Sequence, residues 1–317
     1  MVEEWLSASM EDLSPRGRED GYMEGILDWG VRVVLWFQQA SPTLDTPFKV
    51  LTLMGNETFY LVFFPFIYWC VDRRFGARLI VLFLLSSSVN ALAKEFAGQP
   101  RPFQYDPVVQ KLWNAGGGGF PSGHTQSAVV IWGYLASQSR RAWLWVAAGL
   151  LVVLIPLSRV YLGVHFPTDL LGGYVIGVGL LLLYLRFEPG VEAWLADRSI
   201  PLQLGAALAF PCLILLLSPG VEEYQVKTAA SMTGMGAGFV AERKWIGFDS
   251  GGIWWKRANR FLVGMVIMLA LRQGLGLLET GTDHELVFGF VRYVILGLGG
   301  ALVAPWVFVS VGLAARR

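Results

Sequence analysis

The sequence has 317 residues, of which 54% are hydrophobic and 15% are charged, and its formal net charge is +1 at pH 7. A soluble domain of this length would have too few polar residues to cover its surface, and the near-zero charge gives no basis for binding nucleic acid. Because the apolar residues come in long blocks, the sequence predicts an all-α fold, a polytopic membrane helical bundle.

The first element is an amphipathic helix that follows a polar arm. Residues 1–24 are acidic and lack a basic stretch followed by an apolar core, so we do not expect a cleavable signal peptide. From 25 to 39, Trp29 and Trp36 lie near helical spacing in a segment too short and too polar to span a membrane. We therefore expect residues 1–46 to form a polar arm and a helix that lies at the membrane surface.

Nine apolar segments follow as candidate spans. They lie at about 47–70, 77–97, 124–138, 142–158, 167–187, 201–218, 225–241, 260–278 and 286–312. The first five belong to a core at 47–187, and the other four belong to a C-terminal region at 188–317. Segment 225–241 is the least apolar, because small residues such as Gly234 and Gly236 interrupt it, and such residues favour close packing inside a bundle.

Basic residues provide a test of this count. With nine spans, one side of the membrane receives most of them, namely Arg73, Arg74, Arg78, Arg140, Arg141, Arg186, Arg198, Arg243, Lys244, Lys256, Arg257, Arg316 and Arg317. The other side receives the acidic N-terminus, Glu222, Glu223 and the acidic stretch 283–285. This positive-inside pattern favours nine spans over eight, with the N-terminus outside and the C-terminus in the cytoplasm.

Three short clusters of polar residues lie at the ends of these spans. They occupy residues 94–102, 121–124 and 158–169, and all three fall on the extracytoplasmic side of the predicted topology. Random placement would scatter them over both faces. Their agreement therefore predicts one site built from three distant segments.

The third cluster contains a histidine and a carboxylate four residues apart. His165 and Asp169 would share one face at the first turn of the fifth span. Asp169 could then hold one ring nitrogen and leave the other free to attack phosphorus, which would give a phosphohistidine. The alternative is a plain histidine–aspartate cap at a helix start.

The second cluster, Pro-Ser-Gly-His, precedes an apolar run. Ser122 is a good N-cap residue, Gly123 lets a ligand approach the backbone, and free N–H groups at a helix start favour an anion. His124 would lie beside that anion and could protonate a leaving oxygen. An ordinary helix cap with a surface histidine is the alternative.

Three cations complete the set. Lys94, Arg101 and Arg159 would bind phosphate oxygens and stabilise the charge of the transition state, although single cations at a membrane boundary also reach lipid headgroups. No group of Asp, Glu, His or Cys has metal-ligand spacing. We therefore expect a reaction that needs no metal and no cofactor.

The three clusters read Lys-x6-Arg-Pro, Pro-Ser-Gly-His and Ser-Arg-x5-His-x3-Asp. Together they resemble the signature of the type 2 phosphatidic acid phosphatase superfamily, which also contains glucose-6-phosphatases, sphingosine-phosphate phosphatases and vanadium haloperoxidases. The resemblance implies that His165 is the nucleophile, Asp169 its partner and His124 the acid. It implies phosphate binding by Lys94, Arg101, Ser122, Gly123 and Arg159. It covers residues 47–187, and beyond them the chain is similar in length and topology to the longer, nine-span members.

These observations predict an integral membrane phosphatase that hydrolyses a phosphate monoester or diphosphate. A site at the bilayer edge favours a lipid substrate, such as phosphatidate, a sphingoid-base phosphate or a polyprenyl diphosphate. A phosphatase of water-soluble sugar phosphates, a phosphotransferase to a hydroxyl acceptor and a non-catalytic lipid or phosphate carrier stay open as alternatives. The compact loops favour a bacterial inner membrane, and an endoplasmic reticulum protein would show the same charge bias.

Other residues have less specific signals. The glycines at 116–119 are expected to act as a hinge or lid for loop 103–120, with a phosphate cradle as the alternative. Asn56 and Glu57 lie within the first span. A buried glutamate there should face the bundle, as a partner for an inward arginine or amide or as part of the substrate path. Arg272 and Arg292 are expected to pair with carboxylates inside the bundle.

Overall fold

The protein is built from helices. The structure, a computed structural model, describes residues 21–218, 220, 223–277 and 285–317. Within those ranges the only extended pairing is an isolated bridge between Phe248 and Arg316, which confirms the prediction of an all-α fold. Residues 1–20, which form most of the predicted polar arm, and His284 lie outside the described residues.

Thirteen helices occupy the described ranges. In chain order they are α1 (Gly21–Gln38), α2 (Asp45–Leu53), α3 (Glu57–Phe66), α4 (Arg73–Ala97), α5 (Pro102–Tyr105), α6 (Gly123–Ser137), α7 (Ala142–Tyr161), α8 (Pro167–Ala196), α9 (Ile200–Leu217), α10 (Glu223–Ala241), α11 (Trp254–Gly276), α12 (Glu285–Leu298) and α13 (Ala304–Ser310). Helices α3, α10 and α12 each continue into a π-helical turn, at Ile67–Val71, Glu242–Ile246 and Gly299–Val303 respectively.

Local sequence sets both ends of α4, the longest helix that leads into the site. Asp72 caps its start, since the carboxylate accepts a hydrogen bond of 2.8 Å from the backbone N–H of Phe75. At the other end Gly98 adopts a left-handed conformation with φ of 57°. That conformation suits glycine, and it turns the chain sharply just after Lys94.

The number of helices able to cross a membrane differs from the predicted nine. Five helical segments in the described ranges are long and apolar enough, or six if the bent pair Asp45–Leu53 and Glu57–Val71 is one span. Predicted spans 124–138, 225–241 and 260–278 correspond to α6, α10 and α11, which do not meet that criterion. Helix α6 has only 15 residues, α10 is rich in small and polar side chains, and arginines bound the apolar stretch of α11. Helices α6 and α10 are largely buried in the bundle, so they need less apolar surface than a lipid-facing span, whereas α11 has an exposed apolar face that includes Leu262 and Val266.

Helix α4 joins two groups of helices. On one side it packs on α6, which also contacts α7 and α8. On the other side it packs on α10, which also contacts α9 and α12. A buried core lies between the groups, and it includes the aromatic side chains of Tyr60, Phe64, Tyr68, Trp69 and Tyr134.

Helix α1 lies over the loop that follows α7. Its buried residues Leu27 and Val34 pack with Phe166, next to the predicted nucleophile. Gly30 makes this contact possible, because a Cβ atom there would lie 2.6 Å from the Phe166 ring. The tryptophans Trp29 and Trp36 remain exposed on the helix.

Ion pairs and backbone hydrogen bonds hold the opposite end of the bundle. At the start of α4, Arg73 pairs with Glu242 at 2.9 Å. The fully buried Arg260 donates hydrogen bonds to the backbone carbonyls of Asp249, Ser250 and Gly251. These contacts tie the segment after α10 to α4 and α11.

Candidate active site

The histidine of the third cluster lies in a loop between α7 and α8 and is held by a carboxylate. His165 Nδ1 is 3.1 Å from Asp169 Oδ2, and the same oxygen accepts a hydrogen bond of 2.9 Å from the Phe166 backbone N–H. The other oxygen, Oδ1, accepts a hydrogen bond of 2.7 Å from the Gln99 side chain. A carboxylate on Nδ1 favours the tautomer with the proton on that atom, which leaves the lone pair of the ring on Nε2.

His165 is held in its neutral form. Burial and the neighbouring cations Lys94, Arg101 and Arg159 keep the pKa of this histidine well below its ordinary value of 6.5. Its side chain is almost fully enclosed, with a relative exposure of 2%. A neutral imidazole with a free lone pair on Nε2 is the form that acts as a nucleophile.

Arg101 contacts Nε2 of this histidine directly. Its Nη1 atom lies 3.1 Å from His165 Nε2 and donates to the carbonyl of Val164 at 2.7 Å. Its other nitrogens donate to the carbonyls of Gly117 and Gly116, at 3.1 and 2.7 Å. The guanidinium therefore links the first cluster to the third cluster and to the glycine loop.

Lys94 binds the same glycine loop. Its Nζ atom donates to the carbonyls of Gly118 at 2.8 Å and Gly119 at 3.2 Å. The loop thus presents carbonyl oxygens to the cations, whereas a phosphate cradle presents N–H groups. This arrangement favours the predicted lid or hinge over the cradle.

Arg159 is buried near the end of α7, with a relative exposure of 3%. Its Nη1 atom donates to the hydroxyl of Thr52 at 2.5 Å, while its Nε has no hydrogen-bond partner. A buried guanidinium donor without a partner is unfavourable by a few kcal/mol, because it has lost its water. Arg159 also lines the adjoining cavity.

The second cluster starts α6 as the sequence predicts. The Ser122 side chain caps the helix, and its backbone N–H donates to the Asp169 carbonyl at 2.9 Å. Gly123 lies against Asn90, where a Cβ atom would be 2.9 Å from the amide oxygen. His124 Nε2 lies 3.1 Å from the side-chain oxygen of Asn56.

One cavity of about 900 Å³ brings most of the predicted residues together. Among the residues that line it are Lys94, Arg101, Gly123, His124, Arg159 and His165. Asp169 and Ser122 lie behind this surface and orient its members. Glu57 lines the same cavity, in agreement with a place on the substrate path.

Three polar residues of the site were not predicted from the sequence. Gln99 holds Asp169, Asn90 packs on Gly123 and Thr52 contacts Arg159. Gln99 lies inside the first cluster, so its position in the sequence was a usable signal. The other two lie in apolar helices, where a single polar residue has many possible roles. Asn56, which the sequence analysis singled out together with Glu57, lines the cavity and contacts His124.

Two further predictions concern metals and the late arginines. Among the described residues, no three His, Cys, Asp or Glu side chains form a group that could hold a metal ion. Arg272 lines the cavity, and Arg292 donates a hydrogen bond of 3.3 Å to the backbone carbonyl of Arg272.

Two family models match the chain. The model described as the PAP2 superfamily matches residues 75–191, which contain all three clusters. The model described as PAP2 superfamily phosphatase, transmembrane extension, matches residues 226–316.

Individual relatives are similar over part of the chain. Lipid phosphate phosphatase delta of Arabidopsis thaliana is 28% identical over 208 residues, which are 60% of this chain and 50% of that protein. Sphingosine-1-phosphate phosphatase 2 of Mus musculus is 30% identical over 193 residues, which are 59% of this chain and 53% of that protein. Phosphatidylglycerophosphatase B of Bacillus subtilis is 30% identical over 126 residues, 37% of this chain and 60% of that protein. The chain therefore spans about half the length of the first two relatives.

Proposed function

Because the chain belongs to the PAP2 superfamily, we propose that it is an integral membrane phosphatase that hydrolyses phosphorylated lipids. The observation that carries this proposal is the buried pair of His165 and Asp169, with Nε2 of the histidine beside Arg101 in a cavity lined by two more cations. The relatives, which include a lipid phosphate phosphatase and a sphingosine-1-phosphate phosphatase, support a lipid substrate.

The proposed reaction has two steps. Nε2 of His165 forms a bond to phosphorus while the bond from phosphorus to the ester oxygen breaks, and its electron pair stays on that oxygen. A protonated His124 gives the oxygen a proton, which releases the alcohol. Water then attacks the phosphohistidine, His124 takes a proton from it, and inorganic phosphate leaves the restored imidazole.

The cations supply the charge stabilisation in both steps. Arg101 would exchange its hydrogen bond to His165 for one to a phosphate oxygen, which frees the lone pair of Nε2 for attack. Arg159 would satisfy its unpartnered Nε on the same anion. Buried cations that are already in place stabilise the transition state strongly, because little reorganisation is needed during the reaction.

The glycine loop has to move in this scheme. The carbonyls of Gly116, Gly117 and Gly118 accept hydrogen bonds from Arg101 and Lys94, the donors that a phosphate needs. Binding therefore displaces the loop from the cations. A glycine-rich lid can move in this way when phosphate replaces its carbonyls, since a glycine backbone has few steric restrictions.

The first experiment is phosphate release by the detergent-purified protein in the presence of EDTA. The substrates are phosphatidate, sphingosine phosphate, a polyprenyl diphosphate and glucose 6-phosphate, each assayed beside His165→Ala. Release from a lipid that vanishes in the variant is the expected result. Phosphate release by His165→Ala at the wild-type rate would refute the role of His165 as the nucleophile. Lipid binding or transport by the wild-type protein without any hydrolysis would identify a carrier.

We also propose a topology of nine spans with the site on the extracytoplasmic side and the C-terminus in the cytoplasm, in a bacterial inner membrane. The positive-inside charge pattern supports it. A cysteine placed at Lys111 should react with an impermeant thiol reagent in intact cells. A cysteine placed at Arg317 should react with it only after the cells are lysed. Equal labelling of both in intact cells would contradict this topology.

A further inference from the structure

The catalytic cavity continues far beyond the phosphate site. The same cavity that contains His165 is lined at its other end by Tyr68, Trp69 and Ala301. At roughly 1.5 Å of rise per residue, the stretch of α4 from Ile80 to Lys94, two lining residues, is about 21 Å long. One leaflet of a bilayer contributes about 15 Å of hydrocarbon thickness. The cavity is therefore long enough for a whole lipid chain.

The wall of the deep end is apolar and comes from both groups of helices. Phe64 and Ile80 line it from α3 and α4, while Met235, Met268 and Leu296 line it from α10, α11 and α12. The last three helices fall in the region that matches the transmembrane extension. Methionine side chains adapt to irregular apolar partners, as a flexible hydrocarbon chain would require.

The floor of the cavity is fixed by hydrogen bonds. Trp69 donates from Nε1 to the Gly300 carbonyl at 2.9 Å, and the Tyr68 hydroxyl donates to the Ala301 carbonyl at 3.2 Å. Gly264 allows the indole to pack against α11, since a Cβ atom there would lie 2.3 Å from the ring. A rigid floor at a set distance from His165 limits the length of the chain that fits.

From this geometry we infer that the C-terminal helices α10, α11 and α12 form one wall of a binding chamber for a hydrocarbon chain of the lipid substrate, and that the deep wall and floor of this chamber determine the preferred chain length. This inference rests on the proposed function, because the phosphate of that lipid would occupy the site at His165.

The test measures kcat/KM for single-chain lipid phosphates of about 8 to about 20 carbons, in mixed micelles with the full chain. Wild type should prefer the 18-carbon substrate over the 8-carbon substrate by at least tenfold, because each buried methylene contributes about fourfold to binding. Rates for the 8-carbon substrate within threefold of those for the 18-carbon substrate would overturn the inference.

A variant and a matched control separate the chamber from the lipid-facing surface. Met268→Trp shortens the chamber, and excluding two or three methylenes should lower kcat/KM for the 18-carbon substrate by about 15- to 60-fold. The 8-carbon substrate should keep its rate within twofold. The control is Val266→Trp on the same helix, where the side chain is 66% exposed and does not line the cavity. Equal chain-length profiles in the two variants would refute the chamber.

Binding gives a readout that does not need hydrolysis. In His165→Ala, the 18-carbon lipid phosphate should raise the melting temperature more than the 8-carbon one, and adding Met268→Trp should remove the difference. Leu296→Trp, from the opposite wall, serves as a second variant if Met268→Trp does not fold. If binding depends on chain length but wild type releases no phosphate from any of these lipids, the proposed function is refuted and the chamber is supported. If wild type releases phosphate but neither its rate nor binding depends on chain length, the chamber is refuted and the proposed function is supported.

Discussion

The strongest mechanistic prediction concerns Asp169→Asn. The carboxylate is fully buried and accepts three hydrogen bonds, from His165 Nδ1, the Phe166 N–H and the Gln99 side chain. An asparagine has the same shape but only one acceptor oxygen, and its NH₂ group cannot accept the proton of Nδ1. The imidazole then loses its preferred tautomer and the charge that stabilises it after attack.

The magnitude follows from these contacts. A hydrogen bond to a charged group contributes about 1.5–3 kcal/mol, and in a buried site the loss of tautomer control adds to it. Comparable substitutions in a serine-protease triad lower kcat by about 10⁴. We therefore expect Asp169→Asn to lower kcat by about 10³- to 10⁴-fold. KM should change less than threefold, because Asp169 lies behind the cavity surface.

Rates of phosphate release at saturating and at limiting substrate concentrations give kcat and KM for the variant and for wild type. Gln99→Ala is the matched control, since it removes one of the hydrogen bonds to Asp169 and leaves the bond to His165 in place. It should cost about tenfold or less. A value of kcat for Asp169→Asn within tenfold of wild type, in protein with an unchanged melting temperature, would refute the role of the carboxylate.

Three further predictions follow from the structure. Because the pKa of His165 is held well below 6.5, its neutral form persists in weak acid, and stability attributable to it is present above pH 6.5 and declines as the pH falls below that value. The substrate for this test is an aryl phosphate, because its phosphate group has a lower pKa than that of an alkyl ester. The fall of kcat/KM at low pH should therefore be centred below pH 6.5, and a fall centred above pH 6.5 would contradict this prediction. Arg260→Met strips three carbonyls of their donor and should destabilise the detergent-solubilised protein by about 2–4 kcal/mol in thermal unfolding, with KM unchanged. Vanadate should inhibit as a transition-state mimic while EDTA has no effect, so strict dependence on added magnesium in the release assay would count against the cation clamp.

The sequence was sufficient to predict which segments meet, for a physical reason. Spans fix which side of the membrane each loop occupies, so the positions of Lys94, His124 and His165 at span ends already placed them together. Helix capping depends only on neighbouring residues, so the capping of α6 by Ser122 could also be predicted from the sequence.

The contacts inside the site could not be predicted in the same way. The hydrogen bond from Arg159 to Thr52 joins residues 107 positions apart, and the contact between His124 and Asn56 joins residues 68 apart. Such pairs depend on the packing of whole helices, which a hydropathy pattern does not specify. The packing of α1 on Phe166 likewise depends on Gly30, whose missing side chain gives no signal of its own.

The span count differed because hydropathy measures contact with lipid. Helix α10 lies between α4, α9 and α12, so its neighbours are other helices. There, small residues are more useful than large ones: a Cβ atom on Gly234 would lie 2.2 Å from the Val294 carbonyl oxygen. A helix that is surrounded by other helices needs little contact with lipid, so its sequence can be as polar as that of a helix in a soluble protein.

The charges of the site explain why folding and substrate binding are coupled. Lys94, Arg101 and Arg159 face one carboxylate, Asp169, so the cationic forms leave an excess of two positive charges in a site largely removed from water. Mutual repulsion and the loss of hydration make this arrangement unfavourable in the free protein. The glycine-loop carbonyls partly compensate, through their hydrogen bonds to Lys94 and Arg101. A dianionic phosphate monoester neutralises the excess, and the trigonal bipyramidal transition state spreads its charge over the oxygens that these cations face. Under the proposed function, the cations that are unfavourable in the free protein would therefore supply both the binding energy and the stabilisation of the transition state, and the apolar chamber would select among phosphate esters by their hydrocarbon chains.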